Sequence, residues 1–292
     1  MKITVTGSLG HISRPLTEKL VKAGHQVTVI SSSDDRSAAI EALGAKASIG
    51  SAEDASFLTR TFTGADAVYT MVPPNFGASE YRKYITSVGQ NYAQAIQKAG
   101  VKSVVNLSCI GAHLDRGTGP IAGLHDIEEI FNKLENVSIK HLRTGFFYVN
   151  FYNDINMIKH MNIMGNNYGA DTTIILVHPK DVADAAAEAF ANGFTGKSIH
   201  YVASDKHTAA EIASVLGAAV GKPDLKWVEF SDQQSLEGME KAGMPKGIAE
   251  SFNEMGAALR TRILWDDYEE VNPPFSGKIK LEDFAVEFAG KY

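Results

Sequence analysis

Apolar positions along the first two thirds of the chain alternate between two periods. Ile3 and Val5 open a short β-branched run that stops at Gly7. Ile12, Leu16 and Leu20 then recur four apart, the spacing of one helix face, and Gly24 closes that segment. Val27, Val29 and Ile30 predict the next strand. The alternation goes on: helix over 36–43, strand Lys46–Ile49, helix Ala52–Phe62, strand 67–72 stopped by Pro73-Pro74. It continues with a long helix Tyr81–Ala99 closed by Gly100, strand 104–108, helix Asp126–Leu134 and strand Ile139–Leu142. Strands alternating with helices predict an α/β fold, a doubly wound parallel sheet covered on both faces.

The rhythm breaks near residue 145. Phe146, Phe147, Tyr148, Phe151 and Tyr152 are dense in rings, and 162–171 is polar and rich in Gly and Asn. Helices are expected over 181–192, 209–220 and 232–242, and a last strand over 199–202. Apolar Ile279, Leu281, Phe284 and Phe288 predict a tail that docks. The expected division is a nucleotide-binding region over 1–150, rejoined by about 177–200, and a smaller C-terminal α/β substrate or partner region over 151–292.

The turn Gly7-Ser8-Leu9-Gly10-His11-Ile12-Ser13 lies between the first strand and the first helix. Backbone N–H groups there and the helix dipole favour a pyrophosphate. The spacing is G-x-x-G-x-x-small, with Ser13 in the third place, rather than G-x-G-x-x-G. Gly7 suits the tight turn and Gly10 a close approach to phosphate. A dinucleotide site is therefore expected through Gly7, Ser8, Leu9, Gly10, His11 and Ile12. Strand two ends in Ser31-Ser32-Ser33, where an NAD enzyme usually carries a carboxylate for the ribose hydroxyls. Hydroxyls and Arg36 suit a 2′-phosphate, so NADP(H) is expected over NAD(H). Met71, Val72 and Pro73 would pass along the cofactor, with Ser108 near the nicotinamide.

Composition narrows the classes. The chain has 292 residues, a net charge of −6 and no dense Lys/Arg run, which argues against a nucleic-acid surface. One cysteine, Cys109, excludes an internal disulfide. No apolar run reaches the roughly 20 residues that span a bilayer. With no basic-then-apolar start, a cytoplasmic protein is expected. The nine histidines show no metal-ligand spacing, so no metal is expected.

Several segments together resemble the NmrA-like branch of the atypical short-chain dehydrogenases/reductases. They are TGSLGHISRPL (6–16), SAEDASFLTRTFTGADAVY (51–69), AGVKSVVNLSCIGA (99–112), HDIEEIFNKL (125–134), HLRTGFFYVNF (141–151) and HPKDVADAAAEAF (178–190). The resemblance implies a Rossmann domain, an NAD(P) site and a smaller substrate domain. It leaves the reaction open between reductases and cofactor-sensing regulators. The Tyr-x-x-x-Lys pair of ordinary short-chain dehydrogenases is missing after the Ser108 strand. That helix offers His125 and Glu129 at the same spacing, with Glu128 as a competing partner. His125, Glu129 and Ser108 are the candidate catalytic residues, and Phe146 and Phe147 the candidate walls of an acceptor pocket.

Three functions follow. One is an NAD(P)H-dependent reductase of a small planar acceptor such as a quinone, whose delocalised product needs little acid help. A second is a non-enzymatic NAD(P) sensor acting through a protein partner, with a homodimer also open. A third, nucleotide-sugar epimerisation, lacks its Tyr-x-x-x-Lys pair.

Overall fold

The computed structural model describes residues 1–292. Its centre is a seven-stranded parallel sheet in the order β3–β2–β1–β4–β5–β6–β10. The strands are β1 (Lys2–Val5), β2 (Gln26–Ser31), β3 (Lys46–Ile49), β4 (Ala67–Thr70), β5 (Ser103–Cys109), β6 (Ser138–Thr144) and β10 (Lys197–Val202). The chain runs outward from β1 to β3, then crosses back to β4. That reversal opens a crevice between the C-terminal ends of β1 and β4, where α/β sheets of this order take ligands.

Helices cover both faces. Helix α1 (Ser13–Lys22) and α7 (Pro179–Asn192) lie on one side, over a core that includes Val5, Leu16, Val29, Tyr69, Leu142 and Ala186. On the other side α3 (Ala55–Phe62), α4 (Tyr81–Ala99) and α5 (Pro120–Asn132) bury Leu58, Val68, Val88, Ile96, Ile127 and Phe131. A short α2 (Ser37–Ala42) leads into β3. The inner strands are therefore largely buried on both faces and read as apolar runs, whereas the edge strands β3 and β10 stay partly exposed.

The remainder builds a third core under two small sheets. Strands β7 (Phe146–Phe147), β9 (Thr173–Val177) and β11 (Asp205–Thr208) form one, and β8 (Ile163–Asn166) pairs with β12 (Lys226–Glu229). Around them pack α6 (Ile155–Met161), α8 (Ala209–Ala219), α9 (Asp232–Lys241), α10 (Lys246–Thr261), α11 (Asp266–Val271) and α12 (Leu281–Ala289). The tail docks as its apolar spacing predicts, with Leu281, Phe284 and Phe288 buried. Ile279 is only half-buried. Residues 179–202 return to the large sheet as α7 and β10.

Two helix starts differ from expectation by three residues or more. Helix α5 begins at Pro120, six residues before the expected Asp126, because Gly119 turns at φ 58° and Pro120 occupies a first-turn position. Helix α3 begins at Ala55, where the Asp54 carboxylate accepts the N–H groups of Ser56 and Phe57. The sequence reading missed β7, β8, β9, β11, β12, α6, α10 and α11. No helix is long and apolar enough to cross a membrane.

Candidate functional site

Sterics make the glycine turn. Gly7 sits at φ 90°, and a Cβ there would lie 2.6 Å from Ser13 Oγ and 2.7 Å from Met71 Sδ. Ser13 fits under it because its hydroxyl donates to the Thr6 carbonyl at 2.7 Å, tying α1 to the end of β1. Ser8 follows at φ 55°. Ile12 supplies no side-chain cap, and the N–H groups of His11 and Ile12 donate to no protein group. The start of α1 therefore presents free donors and the positive end of its dipole outward.

The end of β2 meets this turn. Ser8 Oγ donates to Ser31 Oγ at 3.0 Å, and Ser31 Oγ donates to the Ser33 carbonyl at 3.0 Å. Both nearby carboxylates are used locally: Asp35 accepts from Ser33 Oγ and Asp34 from Ser37 Oγ. Arg36 is exposed and its guanidinium has neither an ion-pair nor a hydrogen-bond partner. This corner holds hydroxyls and one free cation, a set that suits a phosphate.

The third wall is the segment after β4. The Met71 amide donates to Thr6 Oγ1 at 2.8 Å, and Tyr92 Oη donates to the Met71 carbonyl at 2.9 Å. Tyr84 Oη donates to the Pro73 carbonyl at 2.8 Å. A cleft of about 520 Å³ runs between these walls. It is lined by Gly7, Ser8, Gly10, His11, Ile12, Ser31, Ser32, Ser33, Arg36, Met71, Pro73 and Phe147, among others.

Leu9 and Val72 do not line the cleft and pack instead toward the two helical cores. Phe146 and Phe147 part company because neighbours on a strand point to opposite faces. Phe147 lines the cleft, whereas the Phe146 ring lies 5.3 Å from Phe151 in the C-terminal core.

The expected catalytic group does not assemble. Glu129 is exposed, and the buried carboxylate on α5 is its neighbour Glu128. Ser108 is buried, its hydroxyl donating to Glu128 Oε1 at 2.5 Å, so it does not line the cleft. Arg143 on β6 donates to both Glu128 oxygens, from Nε at 3.1 Å and Nη2 at 2.6 Å. Its Nη1 reaches Asp267 on α11 at 2.6 Å, and Tyr201 on β10 also donates to Asp267. Burial opposes the Arg143 charge, but the bonds and field of Glu128 and Asp267 raise its pKa and hold it ionised. His125 lies outside the cleft lining, and its Nδ1–H donates to the Ala112 carbonyl at 2.9 Å. Burial pushes the Cys109 thiol up to about 12, which leaves it un-ionised and a poor nucleophile.

A second buried chain crosses the same strands. Thr70 Oγ1 donates to Asn106 Oδ1, and Asn106 Nδ2 donates to His141 Nδ1 at 3.1 Å. His141 Nε2 must then carry the proton it donates to Asn132 Oδ1 at 3.1 Å. Sequence reasoning named none of Glu128, Arg143, Asp267 and His141 as a polar centre, although it weighed Glu128 as a partner of His125. No cluster of three or more His, Cys, Asp or Glu side chains is arranged to hold a metal ion.

A parallel sheet in this order, with a glycine turn and helix N-terminus at its strand reversal, defines a Rossmann-type protein. Residues 1–271 match the NmrA-like family, and the chain belongs to it. An NAD(P)H azoreductase of Xenophilus azovorans is 22% identical over 256 residues, 87% of this chain and 86% of that one. The fold is also that of an NADPH-dependent quinone oxidoreductase from Escherichia coli, solved with NADPH (TM-score 0.83, 19% identity, 98% and 99% of the two chains). A triphenylmethane reductase from Citrobacter sp., solved with NADP(H), aligns similarly (TM-score 0.82, 19% identity, 98% and 99%).

Proposed function

We propose that this protein is an NADPH-dependent reductase of a small planar acceptor, of which a quinone is the simplest. The observation that carries the reading is the cleft itself: free N–H donors at the start of α1, serine hydroxyls at the end of β2, and an unpaired Arg36. The turn from Gly7 to Ile12 would hold the pyrophosphate, and Ser31, Ser32, Ser33 and Arg36 the 2′-phosphate. When bound, the reduced nicotinamide supplies a hydride.

Acceptor chemistry follows from what the chain lacks. The Ser108 proton is committed to Glu128, and no Tyr-x-x-x-Lys pair stands on α5. Reducing a simple ketone creates a basic alkoxide that needs a positioned acid. A quinone takes a hydride and leaves a delocalised phenolate that solvent protonates to the hydroquinone. The chain's contribution is then positioning, with Phe147 beside the cleft as a wall for a flat ring. The names of the azoreductase, the quinone oxidoreductase and the triphenylmethane reductase agree with a planar acceptor.

The test is NADPH and NADH oxidation by the purified protein against quinones, an azo dye and simple ketones. Expected is turnover with quinones and little with ketones. Tight NADPH binding without oxidation by any acceptor would remove the reductase reading in favour of a cofactor-sensing one.

A further inference from the structure

Four rings from three segments meet at the β4–α4 connection, just past the cleft-lining Pro73 and Pro74, and the cofactor reading does not use them. Phe76 lies on the connection from β4 to α4, Tyr81 and Tyr84 in the first turn of α4, and Phe252 on α10. Ring centroids are 6.0 Å apart for Phe76 and Tyr81, 6.2 Å for Phe76 and Phe252, and 6.3 Å for Tyr81 and Phe252. Tyr81 and Tyr84 stack at 10°. The group is tied to the cleft through the chain and one hydrogen bond: Pro73 and Pro74 line the cleft, Tyr84 Oη donates to the Pro73 carbonyl, and Phe76 follows Pro74 by two residues. Across the junction, Gly247 at the start of α10 packs close to the Ser79 carbonyl.

Phe76 is 50% exposed despite two ring neighbours within reach, Tyr81 and Phe252. An aromatic face left in water at the rim of a cleft is a standing cost unless something covers it. The charges around it cancel locally. Glu80 pairs with Lys83 at 2.6 Å, Arg82 with Asp126 at 2.7 Å, and Lys246 with Glu250 at 3.8 Å. A charged partner would find no complementary charge there; an uncharged flat aromatic would find ring faces.

We propose that Phe76, Tyr81 and Phe252 form an aromatic platform at the cleft rim for the outer ring of a fused or extended planar acceptor. The reacting ring would lie inside, toward Phe147. This rests on the reductase reading and adds to it a preference for acceptors larger than one ring.

The probes are 1,4-benzoquinone and 2-methyl-1,4-naphthoquinone. In turnover, Phe76→Ala is expected to raise KM for the naphthoquinone about three- to tenfold relative to that for benzoquinone, the range of one aromatic contact. Phe76→Tyr keeps the wild-type ratio, while Phe76→Leu loses it, which separates ring stacking from plain apolar contact. Calorimetric titration of NADP⁺-saturated protein with the naphthoquinone measures the same site without turnover. Weaker binding in Phe76→Ala, in a protein that oxidises no NADPH, would retire the reductase reading and keep the platform. Unchanged naphthoquinone affinity in both Phe76→Ala and Phe252→Leu overturns the platform. So does dissociation of a dimer by Phe76→Ala with naphthoquinone affinity unaltered, which would make the rings a subunit contact.

Discussion

Replacing Glu128 with Ala tests whether the Arg143 charge is as dependent on its partners as the geometry requires. Glu128 and Arg143 side chains are 4% and 7% exposed, and Glu128 accepts three hydrogen bonds, two from Arg143 and one from Ser108. Without Glu128, the guanidinium keeps only Asp267, whose side chain is 26% exposed, and the Ser108 hydroxyl loses its acceptor. Stripping one member from a buried ion pair costs about 3–5 kcal/mol, because the other charge stays buried and uncompensated. For a chain of 292 residues unfolding as one unit, the entropy of melting is about 0.6 kcal/mol per kelvin. The expected fall in Tm is therefore about 5–8 °C by calorimetry. The double variant Glu128→Leu/Arg143→Met removes both charges and should recover most of that loss, since an apolar pair of similar volume is often neutral. If Glu128→Ala melts within 1 °C of the wild type, or the double variant is worse than the sum of its singles, Arg143 is not desolvated as the structure has it.

The cleft yields separable binding predictions. Arg36→Ala should weaken NADPH binding about tenfold or more by calorimetry and leave NADH nearly unchanged, since a charge-assisted bond to phosphate contributes about 1.5–3 kcal/mol; equal losses for both cofactors would remove Arg36 from the 2′-phosphate corner. At Gly10 a Cβ would meet only the Gly7 carbonyl, at 3.1 Å, so Gly10→Val should keep Tm within a few degrees yet abolish cofactor binding. Gly7→Ala should lower both, because φ 90° and the contacts with Ser13 and Met71 leave no room for a methyl. Burial holds the His141 pKa down to about 4, against 6.5 in an unfolded chain. The unfolded state then binds the extra proton first, so this residue's contribution to stability is full above about pH 6.5 and is lost as pH falls toward 4. His141→Gln should flatten the acid limb of a urea-denaturation profile over that window by up to about 3 kcal/mol; an unchanged slope would mean that His141 is protonated where it lies.

Which features were legible in the sequence depends on how far apart their parts lie. Tyr81–Ala99 and Lys46–Ile49 are found where their spacing places them, because period and stop signal are local, and Gly100 ends α4 in the left-handed region. The stretch Gly117-Thr118-Gly119-Pro120 reads as loop by composition, yet its proline starts α5. The choice between Glu128 and Glu129 fails for a different reason. Either could face His125 on a helical wheel, but the buried one is selected by Arg143 on β6 and by Asp267 beyond it, partners far along the chain. The same division runs through the cleft. The end proposed for phosphate comes from one β-turn-α unit and the next strand, so residues 7–36 carry nearly all of it in order. Its other end is assembled from residues far apart in the chain, Pro73 and Pro74 after β4, Phe147 and Pro179. Residues placed so far apart in the chain leave no spacing to read. On the proposed reading, the cofactor end can stay constant along a short segment while the acceptor end changes through substitutions at distant positions, Phe76 and Phe252 among them.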